Sequence, residues 1–371
     1  AEFLNHFNIS NSNPIYVFLK SDSTLAEFQN DFGDLYGTFE IHPDDDDSVS
    51  FPKFDKIDGT FDILNRLEDK REESFDAVEY LKARLLDIYF GDWDRHTDQW
   101  RWGRINSNLR KKWLPIPRDR DQVFARYDGI LPSIVEYYLP QITSFTNNLP
   151  DVKKITWSGR YLDRRILPLL NKSEWDSVAL FIHNGISDSL IEFAVSKLPP
   201  THYNTSAKFI IDALKSRKSQ LLSFSEEYFR LINNCIDIYG SSKDDFVEIS
   251  ANNEKFSVIF KKAKSKELLF AMDYSHCFTN EIRLHLLDGD DKVVISGEES
   301  SLPKIRIIGN DGKDSLINLT HNFSPFTLSK IVFYDSGKNT FISNTKCVST
   351  IKKEFPKPKD DFEKFEPSQP D

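Results

Sequence analysis

The spacing of the apolar residues changes along this 371-residue chain, and each change predicts a different kind of structure. The first sixty residues carry short apolar runs between turn-forming residues, at 15–19 and 37–41, which predicts short strands. From Ser74 the apolar residues recur every three or four positions, which predicts an amphipathic helix that begins at a Ser74 cap and ends at Gly91. Residues 132–238 continue this helical spacing, so helices dominate the middle of the chain.

Beyond Asp244 the pattern becomes that of strands separated by Asp, Gly and Asn turns. We therefore predict an α+β chain with a boundary near residue 245. A mainly helical domain with a small N-terminal β portion occupies residues 1–245, with the β portion at 1–60 and the helical part at 61–245. An all-β domain follows at 246–350, and the Pro-rich charged stretch at 351–371 is typical of a linker. The strands are predicted at 256–260, 281–286, 292–295, 304–308 and 330–334.

Charge and composition exclude several classes of function. The formal net charge is −10 and no basic stripe occurs, which argues against a nucleic-acid partner, because binding to phosphates needs lysine and arginine. No apolar run reaches the roughly 18 residues of a membrane-spanning helix, so we predict no transmembrane segment in this chain. The three cysteines are too widely spaced for a paired metal site or a dense disulfide framework.

Two polar segments carry the residue types that phosphoryl transfer requires: a carboxylate near the attacking hydroxyl and oxygen ligands for Mg²⁺. The first, residues 91–99, contains Asp94, and the amide residue Gln99 follows it five positions later. The second, residues 115–121, contains Asp119 and Asp121 directly after a predicted strand. A predicted hairpin, formed by residues 100–105 and 113–117, joins the two segments. We therefore expect the segments to meet, one at the end of a helix and the other at the end of a strand.

A structural interpretation stands beside this functional one. Asp94, Arg95 and His96 are also residues that tie a helix end in a network of ion pairs. A zinc site is disfavoured, because no second histidine lies near His96 at a ligand spacing, and oxygen ligands suit Mg²⁺ or Mn²⁺ better. Residues 156–165 hold three arginines around Asp163, and these arginines either bind phosphate or clamp the helical part to the two segments; the clamp is favoured.

The run Asp94-Arg95-His96 with Gln99, followed by Trp113 to Phe124, resembles the catalytic loop and metal segment of atypical kinases of the CotH and HipA types. The resemblance implies a kinase-like domain over residues 1–245, with a partial N-lobe and a helical C-lobe. It implies that Mg²⁺ (or Mn²⁺) and ATP are cofactors. The site residues that we assign on this basis are catalytic Asp94, Arg95 and His96, cofactor-binding Gln99 and Arg118, and metal-binding Asp119, Asp121 and Gln99.

A second resemblance extends over most of the chain and is carried by separate sequence blocks. These blocks look like a region of large bacterial cell-envelope proteins, in which the region is joined to a calcineurin-like metallophosphoesterase and to a BamA/D15-type outer-membrane barrel. This implies an extracytoplasmic setting, in the periplasm or at the cell surface, with an outer-membrane barrel among the partners. The blocks are residues 91–102, 115–124, 156–165, 197–200 and 281–284.

The chain departs from a complete kinase in one respect. None of its 14 glycines forms Gly-x-Gly-x-x-Gly or Gly-x-x-x-x-Gly-Lys, which are the loops that cradle phosphates. By resemblance the nucleotide lysine is expected before Ala1, in a longer protein from which this segment comes. Two hypotheses follow: an atypical kinase-like phosphotransferase, or a non-catalytic envelope module that keeps the same fold.

One further motif lies in the predicted β domain. Residues 309–316 resemble a single turn of a calcium-binding β-roll, and residues 288–291 are a weaker companion. Stacked rolls need three or more repeats to build their calcium sites, so ordinary β-turns are favoured over calcium at Asp311 and Asp314.

Overall fold

The computed structural model describes residues 1–44, 50–106, 110–127, 138–139, 141–321, 330–335, 340–352 and 359–365. The chain is a mixed α/β protein with several sheets. Its described α-helices are α1 Glu2–His6, α2 Gln29–Phe32, α3 Thr60–Asp69, α4 Ala77–Phe90, α5 Val152–Ile155, α6 Arg160–Ile166, α7 Lys172–Gly185, α8 Asp188–Val195, α9 Pro200–Asn234 and α10 Asp361–Phe365. Its described strands are β1 Ile15–Leu19, β2 Leu35–Phe39, β3 Lys56–Gly59, β4 Glu73–Phe75, β5 Trp100–Asn106, β6 Lys111–Pro117, β7 Cys235–Tyr239, β8 Asp245–Ala251, β9 Lys255–Lys262, β10 Leu268–Ser275, β11 Glu281–His285, β12 Lys292–Glu298, β13 Lys304–Ile308, β14 Ser315–His321, β15 Ile331–Asp335, β16 Phe341–Ile342 and β17 Val348–Lys352.

Helix α4 is the central helix of the first half of the chain. The predicted helix is confirmed, but its N-cap is Asp76, whose side chain accepts from the Glu79 N–H, whereas Ser74 lies in strand β4. Its C-cap is Gly91, with a left-handed φ of 78° that glycine adopts without strain. Most of its residues are buried, because α7 and α9 pack against it and the β6 strand covers another side.

Strands β3, β5, β6 and β4 form one sheet in that order, next to α4. The predicted hairpin is confirmed: β5 and β6 pair antiparallel, with Trp100 opposite Pro117. Three tryptophans of this hairpin, Trp100, Trp102 and Trp113, are fully buried and contribute to the main hydrophobic core. Because this sheet lies among helices, the first 120 residues are more strongly mixed than the predicted small β portion.

Helices α5 to α9 enclose the other side of α4. Helix α7 begins with a reciprocal capping box between Asn171 and Glu174, and its apolar face buries Trp175 and Ile182. No single helix among the described residues has the length and apolarity to cross a membrane. The pair α7 and α8 meets that test of length and composition only when taken together, with a bend of 67° between the two helices.

From Cys235 onward the chain forms a two-sheet parallel β-solenoid. Strands β7, β11, β13, β15 and β17 are parallel neighbours in one sheet, and β8, β12, β14 and β16 are parallel neighbours in the other. The chain therefore alternates between the two sheets, and each pair of strands forms one coil. Hairpin β9–β10 extends the second sheet antiparallel to β8. The solenoid begins before the predicted boundary at residue 245.

The two glycine-containing segments noted in the sequence are stacked turns of this solenoid. Asp288 and Asp311 form a parallel bridge, and Gly289 and Gly312 have φ values of 115° and 140° at matching places. The two segments are thus turns, and they have a feature that the sequence did not predict, because they stack on one another. No group of three or more His, Cys, Asp or Glu residues in the described ranges has the geometry of a metal site.

Side chains of α6 hold the helical part and the solenoid together. Arg164 forms an ion pair of 2.7 Å with Asp237 of β7, and the Arg165 guanidinium lies 3.4 Å from the Tyr239 ring centroid. The predicted linker at 351–371 is described only in part: residues 351 and 352 end β17, residues 361–365 form α10, and most of the remainder lies outside the described residues.

Replacing Gly312 by alanine is expected to destabilise the solenoid by about 3 kcal/mol, since a non-glycine residue is strained at this φ and overpacking adds to the loss. A Cβ at this position would lie 1.7 Å from the carbonyl oxygen of Gly289. The measurement is urea unfolding followed by far-UV circular dichroism. Gly37→Ala is the control, because nothing lies within 4 Å of the added carbon. Equal stability of the two variants would contradict the stacked-turn geometry.

Candidate functional site

The two predicted segments do meet, at the C-terminal end of α4. The first segment begins at Gly91, the C-cap of α4. The second segment contains Pro117, the last residue of β6, and the loop after it. The backbone N–H of Arg118 donates to the Gln99 carbonyl at 3.0 Å, which joins the segments. Within them Asp94 and His96 are partly buried, whereas Asp119 and Asp121 are exposed.

Arg95 is fully buried and binds both segments. Its Nη1 donates to the Gln99 Oε1 at 2.8 Å and to the Arg118 carbonyl at 2.6 Å. The guanidinium also stacks on the Trp100 ring, at 4.5 Å from the centroid. Because one planar group binds the loop after α4 and the loop after β6, Arg95 fixes their separation.

Asp87 anchors this arginine from inside α4. Its carboxylate accepts from the Arg95 Nε at 3.1 Å and lies 2.6 Å from the Arg120 Nη2. Arg84, one turn earlier on α4, has its Nη1 3.6 Å from the same carboxylate. Three guanidinium groups therefore surround one buried carboxylate, and the excess charge requires further acids nearby.

Asp163 of α6 supplies the second acid. It binds Arg84 in a bidentate manner, at 2.7 Å and 2.8 Å, and accepts from the Tyr80 hydroxyl at 2.8 Å. A Cβ on Gly159, at the start of the same helix, would lie 2.7 Å from the Arg84 Nη2 and 3.2 Å from the Arg95 carbonyl oxygen. The clamp favoured from the sequence, in which the three arginines hold the helical part to the two segments, differs from the contacts that the structure shows. The contacts to α4 and its loop come from Asp163 and Gly159, while Arg164 and Arg165 contact the solenoid.

Asp92 is the third buried acid of this network. Neither of its carboxylate oxygens has a hydrogen-bond partner, and the nearest guanidinium nitrogen, Arg95 Nη1, is 3.7 Å away. Burial raises the pKa of Asp92 to about 7, Arg95 opposes the shift, and the neighbouring charge of Asp87 adds to it. This set of five buried residues and the partly buried Arg120, hereafter the α4 network, comprises Arg84, Asp87, Asp92, Arg95, Arg120 and Asp163.

Asp94 lies at the outer side of the α4 network. Burial raises the pKa of Asp94, His96 and Arg95 oppose the shift, and the charges of Asp121 and Asp119 add to it. Asp119 has a left-handed φ of 48°, an uncommon conformation for a residue with a side chain. The charges of Asp119 and Asp121 therefore both act on Asp94.

Gln99 and Arg118, which are predicted to bind the cofactor, have different surroundings in the structure. The amide oxygen of Gln99 accepts a hydrogen bond from Arg95, and Gln99 is buried. Gln99 is therefore not among the proposed metal ligands. The side chain of Arg118 is partly buried, and burial, with Arg101 nearby, lowers the pKa of its guanidinium. The predicted structural role of Arg95 fits its contacts better than a role at a reacting atom.

Sequence reasoning missed most of the α4 network. Arg84 and Asp87 lie three residues apart in the more apolar second half of the helix, and this spacing places their side chains on one face. That pattern was the available signal, because charged residues are rarely buried unless they are paired. Their partner Asp163 is remote in sequence and could not be assigned to them without the fold.

Comparison with family models, with curated proteins and with solved structures finds no match to this chain.

Replacing Asp163 by alanine is expected to destabilise the chain by about 4 kcal/mol, because it leaves Arg84 buried with reduced compensation. Urea unfolding followed by tryptophan fluorescence measures the change, since the tryptophans lie in the first half of the chain. Asp176→Ala is the control: its ion pair with Lys172 is exposed, and its loss is expected to change stability by at most about 0.5 kcal/mol. Similar losses in both variants would contradict the role given to Asp163.

Proposed function

We propose that this chain contains the catalytic end of a kinase-like phosphotransferase or of a degenerate relative, built on a mainly helical kinase-like lobe. The observation that carries the proposal is the position of Asp94. It is partly buried, its neighbour Arg95 is held by buried contacts, and the charges of two exposed aspartates act on it. A carboxylate of this kind, with its pKa raised by burial and like charges, is typical of functional sites.

Each group has a role that follows from its contacts. Asp94 orients the attacking hydroxyl and accepts its proton, which a carboxylate with a raised pKa does more effectively. Asp119 and Asp121 are the carboxylates that would hold Mg²⁺ or Mn²⁺, because both are exposed and both lie near Asp94. The metal supplies charge against the phosphate oxygens of ATP. Arg95 and Gln99 position the loop, and His96 and Arg118 are the remaining groups for contact with phosphate.

A non-catalytic envelope module is the second candidate, with an extracytoplasmic location and an outer-membrane barrel among its partners. The observation that favours it is the state of Gln99, whose amide oxygen is bonded to Arg95. In addition, the described part of the chain contains no group of three metal-ligating side chains at coordinating positions. In this case the α4 network serves only to hold the loops and the solenoid in place.

Addition of Mg²⁺ is expected to raise the thermal midpoint of the chain. At a Mg²⁺ concentration tenfold above the dissociation constant, the stabilisation is about 1.4 kcal/mol. Asp119→Asn and Asp121→Asn each remove one carboxylate ligand and are expected to abolish most of this shift. Differential scanning fluorimetry over a Mg²⁺ titration, repeated with Mn²⁺, measures the effect.

Asp98→Asn is the matched control, because Asp98 is an exposed carboxylate of the same loop. In the same samples, turnover of Mg²⁺-ATP is followed as ADP formation, and Asp94→Asn is expected to lower the rate at least about a hundredfold. An identical Mg²⁺ shift in all variants, or no shift in any of them, would reject the metal assignment. Absence of both the shift and ADP formation would support the non-catalytic module.

A further inference from the structure

The turns that connect the two solenoid sheets carry a stack of buried aspartates. Asp245 is the first residue of β8, and Asp291 and Asp314 stand just before β12 and β14; these three strands are neighbours in the second sheet. The backbone N–H of Asp245 donates to the Asp291 Oδ1 at 2.7 Å, and that of Asp291 donates to the Asp314 Oδ1 at 3.1 Å. The carboxyls of Asp291 and Asp314 therefore each reach across to the preceding coil. These three residues are hereafter the inner ladder.

The remaining carboxyl oxygens distinguish the members of the inner ladder. Asp245 accepts from the Ser241 N–H and hydroxyl through Oδ2, and its Oδ1 lies 3.2 Å from the Arg71 Nη2. Asp291 and Asp314 are each only 1 % exposed, and their Oδ2 atoms have no hydrogen-bond partner. Among the residues that the structure describes, neither forms an ion pair with lysine, arginine or histidine. An isolated carboxylate so placed is strongly disfavoured, whereas a neutral carboxyl is tolerated.

The surroundings of Asp291 and Asp314 add negative charge. Asp291 lies between Asp314 and Asp245 in the stack, and the charges of these two residues and of Asp244 raise its pKa. The charges of Asp335 and Asp290 raise the pKa of Asp314 in the same way. Arg71 is the cation that contacts the stack, and it does so at Asp245. Burial, with these acids, raises the pKa of Asp291 to about 9 and that of Asp314 to about 7, against the pull of one backbone N–H each.

We propose that Asp291 and Asp314 form a proton-operated lock in the solenoid: in the neutral form they hold neighbouring coils together, and their ionisation weakens the stack. The protonated carboxyl keeps Oδ1 as an acceptor for the backbone of the preceding coil and places no charge in the core. Ionisation leaves two adjacent buried negative charges, and separation of the coils exposes them to water. The solenoid is thus a segment whose cohesion depends on pH.

The sign of the effect follows from linkage. Both carboxyls have folded-state pKa values above the roughly 3.9 of an unfolded aspartate, so the closed solenoid binds more protons than the open chain. The stabilisation is complete below about pH 4 and is lost as the pH rises, through about 7 for Asp314 and through about 9 for Asp291. The protection of the solenoid amides is expected to fall about tenfold per pH unit for each group that is still titrating.

Hydrogen exchange followed by mass spectrometry tests this on the full chain, between pH 5 and pH 9, with correction for base catalysis. The peptides covering 281–298 and 304–321 report the lock. In the wild type, protection beyond pH 7 falls about tenfold per unit, because Asp291 is still titrating there. Asp291→Asn removes this dependence beyond pH 7, since an amide has the same shape and no charge. Asp314→Asn is a second variant, expected to reduce the dependence below pH 7 from about a hundredfold to about tenfold per unit, because Asp291 still contributes there.

Asp290→Asn is the matched control. Asp290 is exposed, stands next to Asp291, and accepts from the Lys313 N–H at 2.9 Å in an outer stack of the same turns. It is expected to leave the slope beyond pH 7 unchanged, because that slope comes from Asp291, whereas the charge of Asp290 acts on Asp314. The same slope in the wild type, Asp291→Asn and Asp314→Asn would overturn the proposal. The proposal would also be overturned if about 1 mM Ca²⁺ restored full protection of the wild type at pH 9, because the stack would then be a cation site. This concentration lies at about the weak end of the affinities of protein calcium sites.

Discussion

The pairing of Arg84 with Asp163 and of Arg95 with Asp87 is the interaction on which the rest of the first half depends. The α4 network contains two buried guanidinium groups, a partly buried one on Arg120 and three buried aspartates in a region surrounded by aromatic side chains. Removing one partner from such a network leaves an uncompensated charge in a region of low dielectric constant. The network therefore permits few alternative arrangements of α4, the two loops and α6.

This network also connects the candidate site with the solenoid. Helix α6 carries Asp163 on the side of α4, and its next residues, Arg164 and Arg165, contact Asp237 and Tyr239 of the first solenoid strand. One short helix thus binds both parts of the molecule. Ion pairs hold this helix at both sides. A movement of the solenoid would therefore reach the loop that bears Asp94 through ion pairs and hydrogen bonds, not through a flexible linker. This gives the two parts a defined relative position.

The local features were predictable from the sequence, whereas the long-range ones were not. The helix up to Gly91 and the hairpin of β5 and β6 depend on periodicity and turn residues, which a sequence displays directly. The solenoid was seen only as separate strands, because parallel pairing joins residues 17 to 46 positions apart and the repeat is weak. Gln99 was assigned to a metal by its spacing from Asp94; spacing does not reveal that Arg95, between them, binds its amide oxygen. The kinase-like function itself remains a proposal.

The central claim is that the α4 network holds Asp94 beside Asp119 and Asp121, so that the three carboxylates interact. NMR titration of the Asp94 carboxyl carbon tests this most directly, in the wild type and in Asp119→Asn/Asp121→Asn. We expect the pKa of Asp94 to lie above that of an ordinary aspartate in the wild type. We expect this pKa to be clearly lower in the double variant, because two like charges are removed. An unchanged pKa of Asp94 in the double variant would contradict the claim.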